Sequence, residues 1–301
     1  MKTNSLSAWI LAVRPYSLGN SVILVLIASA MAYMSGGFRP WAALLCLLFA
    51  LLMQCTANLV NDLWDFMKGA DQPDRLGPDR AFAKGYITLR AMKLGIAAFT
   101  VAAGLAGLGI LFTARATLPH HGWELVAVGV ACLVFAYFYT AGPWPLAYHG
   151  MGDIAVILFF GVIPVGFTYY LQTGAWTPEV TLVALSCGLV IDTMLMLNNF
   201  RDREEDARCN KRTVVVVFGA AVGRWGYLLL GLLPVVLCLA LLLWGHWWAA
   251  LLPLIYGAAH TATWRKMVRI DHGEELNVCL GETARNILLF GALMTLGILL
   301  G

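Results

Sequence analysis

The chain has 301 residues, of which 60% are hydrophobic and only 12% charged, with a formal net charge of +3 and a mean hydropathy of +0.76. Soluble globular domains run at about 25% charged residues, so a soluble enzyme or binding domain is excluded and a bilayer is the expected surroundings. The cations are scattered over short connections with no nucleic-acid footprint, which leaves lipid and lipid-like molecules as partners.

A bilayer core takes about 20 apolar residues per helical span. The first long apolar run follows Arg14-Pro15 and leads straight into further runs without a small-residue cleavage site, so it reads as a span and not as a removable leader. About nine spans are expected in chain order, at 18–34, 40–60, 89–114, 123–140, 152–172, 178–200, 220–244, 246–264 and 285–301. Thr88, Asp153 and Thr177 with Pro178 behind it stand where helix N-caps or first turns belong, which argues for an all-α, polytopic membrane protein. Little sequence is left for a soluble domain, and residues 1–301 read as one transmembrane domain. The seven cysteines lack C-x-x-C spacing. Cys46, Cys55, Cys132, Cys187 and Cys238 read as packing residues, and Cys209 and Cys279, in polar stretches, suit a reducing cytoplasm.

The basic residues set sidedness. With a cytoplasmic N-terminus, only Arg39 and Arg115 of the 20 Lys and Arg fall in outer connections, and the other 18 lie inside, as the positive-inside rule asks. The loops carrying Lys68, Arg75, Arg80 and Lys84, and Arg201, Arg203, Arg208 and Lys211, then share the cytoplasmic face of the membrane.

Two spans end alike. The second closes on Asn58-Leu-Val-Asn61-Asp62-Leu-Trp64-Asp65, where offsets of four and three put Asn58, Asp62 and Asp65 on one helix face. The sixth closes on Asn198-Asn199-Phe200-Arg201-Asp202-Arg203-Glu204-Glu205-Asp206, with Asn198, Asp202 and Asp206 spaced by four, as in a weak parallel repeat. Carboxylates at a helix C-terminus oppose the macrodipole, and grouping them at a low-dielectric edge adds repulsion and desolvation. A cation is therefore expected between them. Oxygen-only ligands favour a hard ion, and Mg²⁺ binds through one or two carboxylates plus substrate phosphate oxygens, so the two stripes suit a diphosphate held between metals. Lys68, Arg75, Arg80, Lys84, Arg201 and Lys211 are placed to neutralise a leaving diphosphate. The alternative is a set of solvated charges at the membrane edge, each paired with a neighbouring arginine.

Asp192 lies mid-span, where an ionisable group is costly and marks a functional position by default. An inward role in acceptor binding or proton handling competes with a structural hydrogen bond. Asp153, Glu124 and Glu179 stand near helix starts, where the dipole explains them, and Asp153 alone also lies on the active face. His149 and His272 are lone loop histidines; Trp244, Trp247 and Trp248 read as an interface belt, and Gly104, Gly107 and Gly109 as a packing stripe.

The two Asp-rich motifs resemble those of the UbiA-type superfamily of intramembrane aromatic prenyltransferases, commonly N-x-x-x-D-x-x-x-D and D-x-x-x-D. The second fits through Asn198, Asp202 and Asp206; the first departs, its last acid being Asp65, one residue early, with Asp71 further on. Asn61-Asp62-Leu-Trp64-Asp65-Phe-Met-Lys68-Gly69-Ala-Asp71, Asn198-Asn199-Phe-Arg201-Asp202 with Asn210-Lys211-Arg-Thr213, Tyr139-Thr140-Ala-Gly142-Pro143 and Arg14-Pro15 are similar to the branch that prenylates 1,4-dihydroxy-2-naphthoate in menaquinone synthesis. The resemblance implies nine transmembrane helices around a central, laterally open cavity in the cytoplasmic (inner) membrane. It implies Mg²⁺ held by Asn58, Asp62, Asp65, Asp202 and Asp206, with the four acids essential for catalysis. A polyprenyl diphosphate would be gripped by the six basic residues above with Tyr139, and an aromatic acceptor would meet Arg14, Asp153, Asp192, Asn198 and Asn199. Trp64, Tyr139, Tyr169 and Tyr170 are candidates to face an allylic cation. A secondary transporter is the competing class, and hydroxybenzoate, homogentisate or a tetrapyrrole are competing acceptors.

Overall fold

A computed structural model describes residues 1–71, 75–115, 118 and 121–301, and among them every regular element is helical. The short α1 (Leu6–Val13) is capped by Ser5 and ends at Arg14, whose left-handed backbone (φ 53) turns the chain so that α2 (Pro15–Met34) starts on a proline. A proline at the first helical position forfeits no hydrogen bond, and the same device opens α3 (Pro40–Met67). Thr88 caps α4 (Leu89–Ala114) by accepting from the Ala91 N–H. Then come α5 (Trp123–Phe138) and α6 (Gly152–Thr173), the latter interrupted by a π turn at Leu158–Val162. Thr177 caps α7 (Pro178–Arg201) ahead of Pro178. The short α8 (Arg203–Arg208) and α9 (Val214–Phe218) lead to α10 (Ala220–Trp244), α11 (Trp247–Leu251), α12 (Pro253–Ile270) and α13 (Leu276–Leu300).

Seven of these, α2, α3, α4, α6, α7, α10 and α13, are long and apolar enough to cross a membrane, and the chain is an integral membrane protein. The other two expected spans are α5, with 16 residues, and the 246–264 run, which Pro253 divides into α11 and α12, the latter continuing past 264 through Arg265, Lys266 and Arg269 to Ile270.

Two boundaries move for a shared reason. α3 continues to Met67, beyond the expected 60, and α13 begins at Leu276, not 285. Both extensions carry polar residues that hydropathy reads as loop. In the folded chain those residues have partners: Glu282 pairs with Lys266 at 2.6 Å, and the Asn277 amide donates to the Leu76 carbonyl at 2.8 Å. Helix can therefore persist through them.

The largest buried cluster joins Leu24, Ile27, Val183, Val190, Tyr256 and Phe290, drawing on α2, α7, α12 and α13. α6 crosses α7 with almost no side chain between them. A Cβ on Gly161 would collide with the Gly188 backbone, and one on Gly188 would stand 2.6 Å from the Ile157 carbonyl oxygen. Such small-residue contacts are how helices approach closely in lipid. Gly188→Ala is expected to destabilise the protein by about 1–3 kcal/mol through overpacking. Gly104→Ala, on an α4 position with nothing within 4 Å of the added atom, should leave stability unchanged. Thermal unfolding of both variants in detergent checks the contrast, and equal melting temperatures would show the crossing to be slack.

Candidate active site

The ends of α3 and α7 border a common cavity, open on one side and with about 2040 Å³ of space when the open mouth is counted, completed by the start of α2, the start of α6 and the first turns of α13. On α3 the stripe facing it is Gln54, Asn58, Asn61 and Asp65. Its steps of four, three and four residues keep one helix face. Asp62 follows Asn61 by one residue, about 100° further round, and is not in the cavity wall. Instead it is buried against the 80–82 loop, one oxygen accepting from the Phe82 N–H at 3.3 Å and Oδ1 without a partner. The expected grouping of Asp62 with Asp65 is thus replaced by Asn61, Asp65 and, in the loop beyond the helix, Asp71.

Each of these groups is held. Asn61 donates to Asp65 Oδ2 at 2.7 Å and accepts from Arg14 at 3.0 Å, while the Tyr148 hydroxyl donates to Asp65 Oδ1 at 2.9 Å. Asn58 spends its amide on the Val13 carbonyl and the Ser17 hydroxyl, at 2.9 and 3.0 Å, and so ties α3 to the α1–α2 turn. Asp71 pairs with Arg75 and, at 3.1 Å, with Arg80. Arg75 reaches on to Asp202 at 3.7 Å and links the two walls.

On the opposite wall Asn198, Asn199, Asp202 and Asp206 all line the cavity. The Arg201 guanidinium grips both oxygens of Asp202 at 2.6 Å and donates to Asn277 at 2.8 Å. Arg201 is therefore a brace behind the wall, not part of it. Lys211 bonds Asp206 at 3.2 Å, leaving Asp206 Oδ2 buried without a partner.

Of the other expected residues, Arg14, Arg75, Arg80, Lys211, Tyr139 and Asp153 line the cavity. Lys68 does not; it donates to the Gly142 carbonyl at 3.4 Å and lies over the Tyr148 ring. Lys84 pairs with Asp79 at 3.3 Å, again outside the wall. Asp192 is fully buried behind it. Trp64 is exposed, Tyr169 is buried away from the cavity and Tyr170 donates to Glu124 at 2.8 Å, so none of the three faces it.

The electrostatics are those of mutual neutralisation. Burial works against the Asp71 carboxylate, but the guanidinium groups of Arg80, Arg75 and Arg14 outweigh it and hold its carboxyl below the usual range. Burial pushes Asp206 up to about 6 against the opposing pull of Lys211. Lys211 is itself held protonated, the loss of water being overcome by Asp206, Asp65, Asp71 and Asp202. Arg14 drops to about 10 through burial and the charge of Arg80. Among the described residues, no three His, Cys, Asp or Glu side chains stand close enough to hold a metal ion alone. The donors nevertheless fit a hard cation completed by a ligand's own oxygens: carboxylates on both walls, no Cys or His among the described lining residues, and the unpartnered Asp206 Oδ2 within the wall.

A second, apolar cavity, also open on one side and of about 980 Å³ with its mouth counted, lies among α2, α3, α4, α5 and α6 and shares Gln54, Ala57, Phe135 and Phe160 with the polar one. Phe135 stacks on Phe159 with centroids 4.0 Å apart and stands at 70° to Phe160 at 6.3 Å, so aromatic rings line the junction. These rings, like Tyr148 and Asn277, carry no sequence signal of their own.

Comparison with known proteins agrees with this architecture. A 1,4-dihydroxy-2-naphthoate octaprenyltransferase of Escherichia coli (strain K12) is 35% identical over 300 residues, covering 97% of this chain and 95% of the relative. One of that name from Mycobacterium tuberculosis is 34% identical over 223 residues, or 74% of each chain. Among solved structures, a UbiA homolog from Aeropyrum pernix K1 superposes with a TM-score of 0.68 at 13% identity, covering 93% of this chain and 97% of that one. A UbiA homolog from Archaeoglobus fulgidus, bound to GPP and Mg²⁺, gives 0.59 at 16% identity over 95% and 99%. The model of the UbiA prenyltransferase family matches residues 21–296, and the chain belongs to that family of prenyltransferases.

Proposed function

We propose that this chain, acting as one domain over residues 1–301, transfers a polyprenyl group from its diphosphate to 1,4-dihydroxy-2-naphthoate with loss of carbon dioxide, a step of menaquinone biosynthesis. One observation carries the reading: acids and bases from two opposed helix ends meet in a single cavity that shares the wall residues Gln54, Ala57, Phe135 and Phe160 with an apolar one. Such a pair of compartments suits a molecule with a diphosphate at one end and a hydrocarbon tail at the other.

Asp65, Asp71, Asp202 and Asp206 are the residues that would hold Mg²⁺, and the ion when bound supplies Lewis-acid neutralisation of diphosphate charge. Arg14, Arg75, Arg80 and Lys211 stand among these acids and offer their donors to the phosphate oxygens. Arg75, paired with an acid on each wall, is central to that set. As the allylic carbon–oxygen bond breaks, negative charge grows on the departing diphosphate, where these fixed donors already point. The allylic cation is left at the cavity junction, where the rings of Phe135 and Phe160 stand in an apolar wall that keeps water away.

The acceptor assignment rests on the named relatives and on chemistry. Attack from the carboxyl-bearing ring carbon leaves a quaternary centre, and loss of carbon dioxide restores aromaticity without a base for a ring C–H. The site lies in the inner membrane facing the cytoplasm, by the 18 to 2 distribution of Lys and Arg.

Asp65→Asn, Asp71→Asn, Asp202→Asn and Asp206→Asn are each expected to lower kcat/KM by at least about 10²-fold with the protein still folded. Asp62→Asn, outside the wall, should keep the wild-type Mg²⁺ dependence. Steady-state kinetics over a Mg²⁺ titration separates the two groups, and undiminished wild-type turnover in EDTA would remove the metal from the scheme. With carboxyl-labelled naphthoate, the label should appear in carbon dioxide as prenylated product forms. Retained label, or turnover of hydroxybenzoate or homogentisate alone, would reject the acceptor. For sidedness, Asp79→Cys and Arg208→Cys, each with Cys209→Ser, should resist an impermeant thiol reagent added to intact cells and react once the cells are opened. Labelling from outside would place the cavity on the other face.

A further inference from the structure

Two carboxyl groups inside the bundle take no part in the diphosphate site. Asp192 lies ten residues before Asp202 on α7, about 15 Å deeper along the helix at 1.5 Å per residue. It is fully buried, and neither of its oxygens has a hydrogen-bond partner. Asp153 stands in the first turn of α6 and forms part of the cavity wall, its Oδ1 also buried and unpartnered.

The helix crossing brings the two together. α6 and α7 run antiparallel and touch where Ile157 meets Gly188. One turn back along α6 from Ile157 is Asp153, and one turn on along α7 from Gly188 is Asp192, so the register that the glycines permit sets one acid beside the other. Tyr139, also in the wall, completes the corner: a Cβ on Gly152 would stand 3.4 Å from its hydroxyl. Unsatisfied carboxyl oxygens in such surroundings are uncommon, because each forfeits its hydration without return. A pair of them beside an otherwise apolar stretch of wall, formed by Ile191, Leu195 and Val156, is a built acceptor for an incoming hydroxyl.

We propose that Asp153 binds the ring hydroxyl next to the reacting carbon of the aromatic acceptor and takes its proton, and that Asp192, the carboxyl set beside it by the α6–α7 crossing, positions Asp153. This rests on the reading above that the acceptor is a hydroxylated aromatic acid. The proton passes from ring oxygen to Asp153 as the oxygen's electron pair closes to a carbonyl. The carboxyl-bearing ring carbon forms its bond to the allylic carbon, and the diphosphate leaves with the pair of the broken carbon–oxygen bond. Carbon dioxide then departs from the resulting β-keto acid, its bonding electrons re-form the aromatic ring, and the carbonyl oxygen takes the proton back from Asp153. The carboxylate thus ends the cycle as it began.

The test compares purified Asp153→Asn, Asp192→Asn and Asp192→Glu with wild type, using 1,4-dihydroxy-2-naphthoate and a fluorinated analogue with a more acidic hydroxyl. Asp153→Asn is expected to lose about 10²-fold in kcat, the usual scale for a general base, with an unaltered KM for prenyl diphosphate. It should lose at least about tenfold less with the analogue, which gives up its proton more readily. Asp192→Asn should show a smaller loss of the same kind, and Asp192→Glu should recover it. Rates within twofold of wild type overturn the proposal, as do losses equal for both acceptors or accompanied by a raised KM for prenyl diphosphate, which mark a structural role. A wild-type enzyme that ignores the naphthoate but prenylates another hydroxylated aromatic overturns the acceptor assignment alone, and the same comparison made on that acceptor and its fluorinated analogue then decides the roles of Asp153 and Asp192.

Discussion

The structure depends on burying acids and bases together at one end of an apolar bundle. Any one of Asp65, Asp71, Asp202 or Asp206 alone in that setting would carry a desolvation penalty that no nearby apolar contact offsets. The penalty is met by a network that crosses from wall to wall. Arg75 touches Asp71 and Asp202, Arg201 holds Asp202 and Asn277, and Asn277 reaches the Leu76 carbonyl. The loop after α3 is thereby fastened to α7 and α13, and the charges that create the cavity also hold its roof. Because a buried ion pair is nearly balanced between desolvation and attraction, exchanging Asp–Arg pairs for contacts to a bound diphosphate and its cation has a small net cost. A site built this way can be stable when empty and still open its charges to a ligand.

The membrane class, the spans and the two Asp-rich ends were legible in the sequence, because hydropathy and helical spacing are local properties. Three things were not. The choice between Asn61 and Asp62 as the residue facing the cavity turns on a single 100° step, and offsets of three and four residues fit Asn58, Asp62 and Asp65 as well as they fit Asn58, Asn61 and Asp65. What decides it is the docking of α1, whose end takes the Asn58 amide, and of Arg14, which takes Asn61. Asp71 lies beyond the helix, and only the folded loop returns it to the wall. Asn277 sits in a stretch with Glu282 and Arg285 nearby, which window hydropathy reads as a loop, whereas the bundle supplies partners that let the helix run on.

Basic residues were harder to rank than acids for a similar reason. The positive-inside pattern enriches Lys and Arg near the expected cavity whether or not they line it. Lys68 and Lys84 satisfy that pattern with contacts to Gly142 and Asp79, while Arg75, Arg80 and Lys211 satisfy it from within the wall. Nothing in their spacing distinguishes the two sets. The difference is the partner each finds, which is a tertiary property.

The boundary between the polar and apolar cavities is where the fold has most to say about chemistry. Gln54, Ala57, Phe135 and Phe160 belong to both, so the change from charged to apolar wall takes place across a few side chains. A prenyl diphosphate lying across it would be sorted by its own chemistry, with phosphate oxygens among the guanidinium groups and tail among the phenylalanines. The bond joining those parts is the one that must break, and it falls at the boundary without any residue having to find it. On the same reasoning, the close α6–α7 crossing matters beyond packing. By bringing Ile157 onto Gly188 it fixes the depth of Asp153 relative to Asp192, and hence the position at which a ring hydroxyl would meet a carboxylate below the diphosphate. A side chain larger than glycine at that crossing would part the acids as well as the helices, so close packing and the placing of the acid pair are one constraint on the sequence.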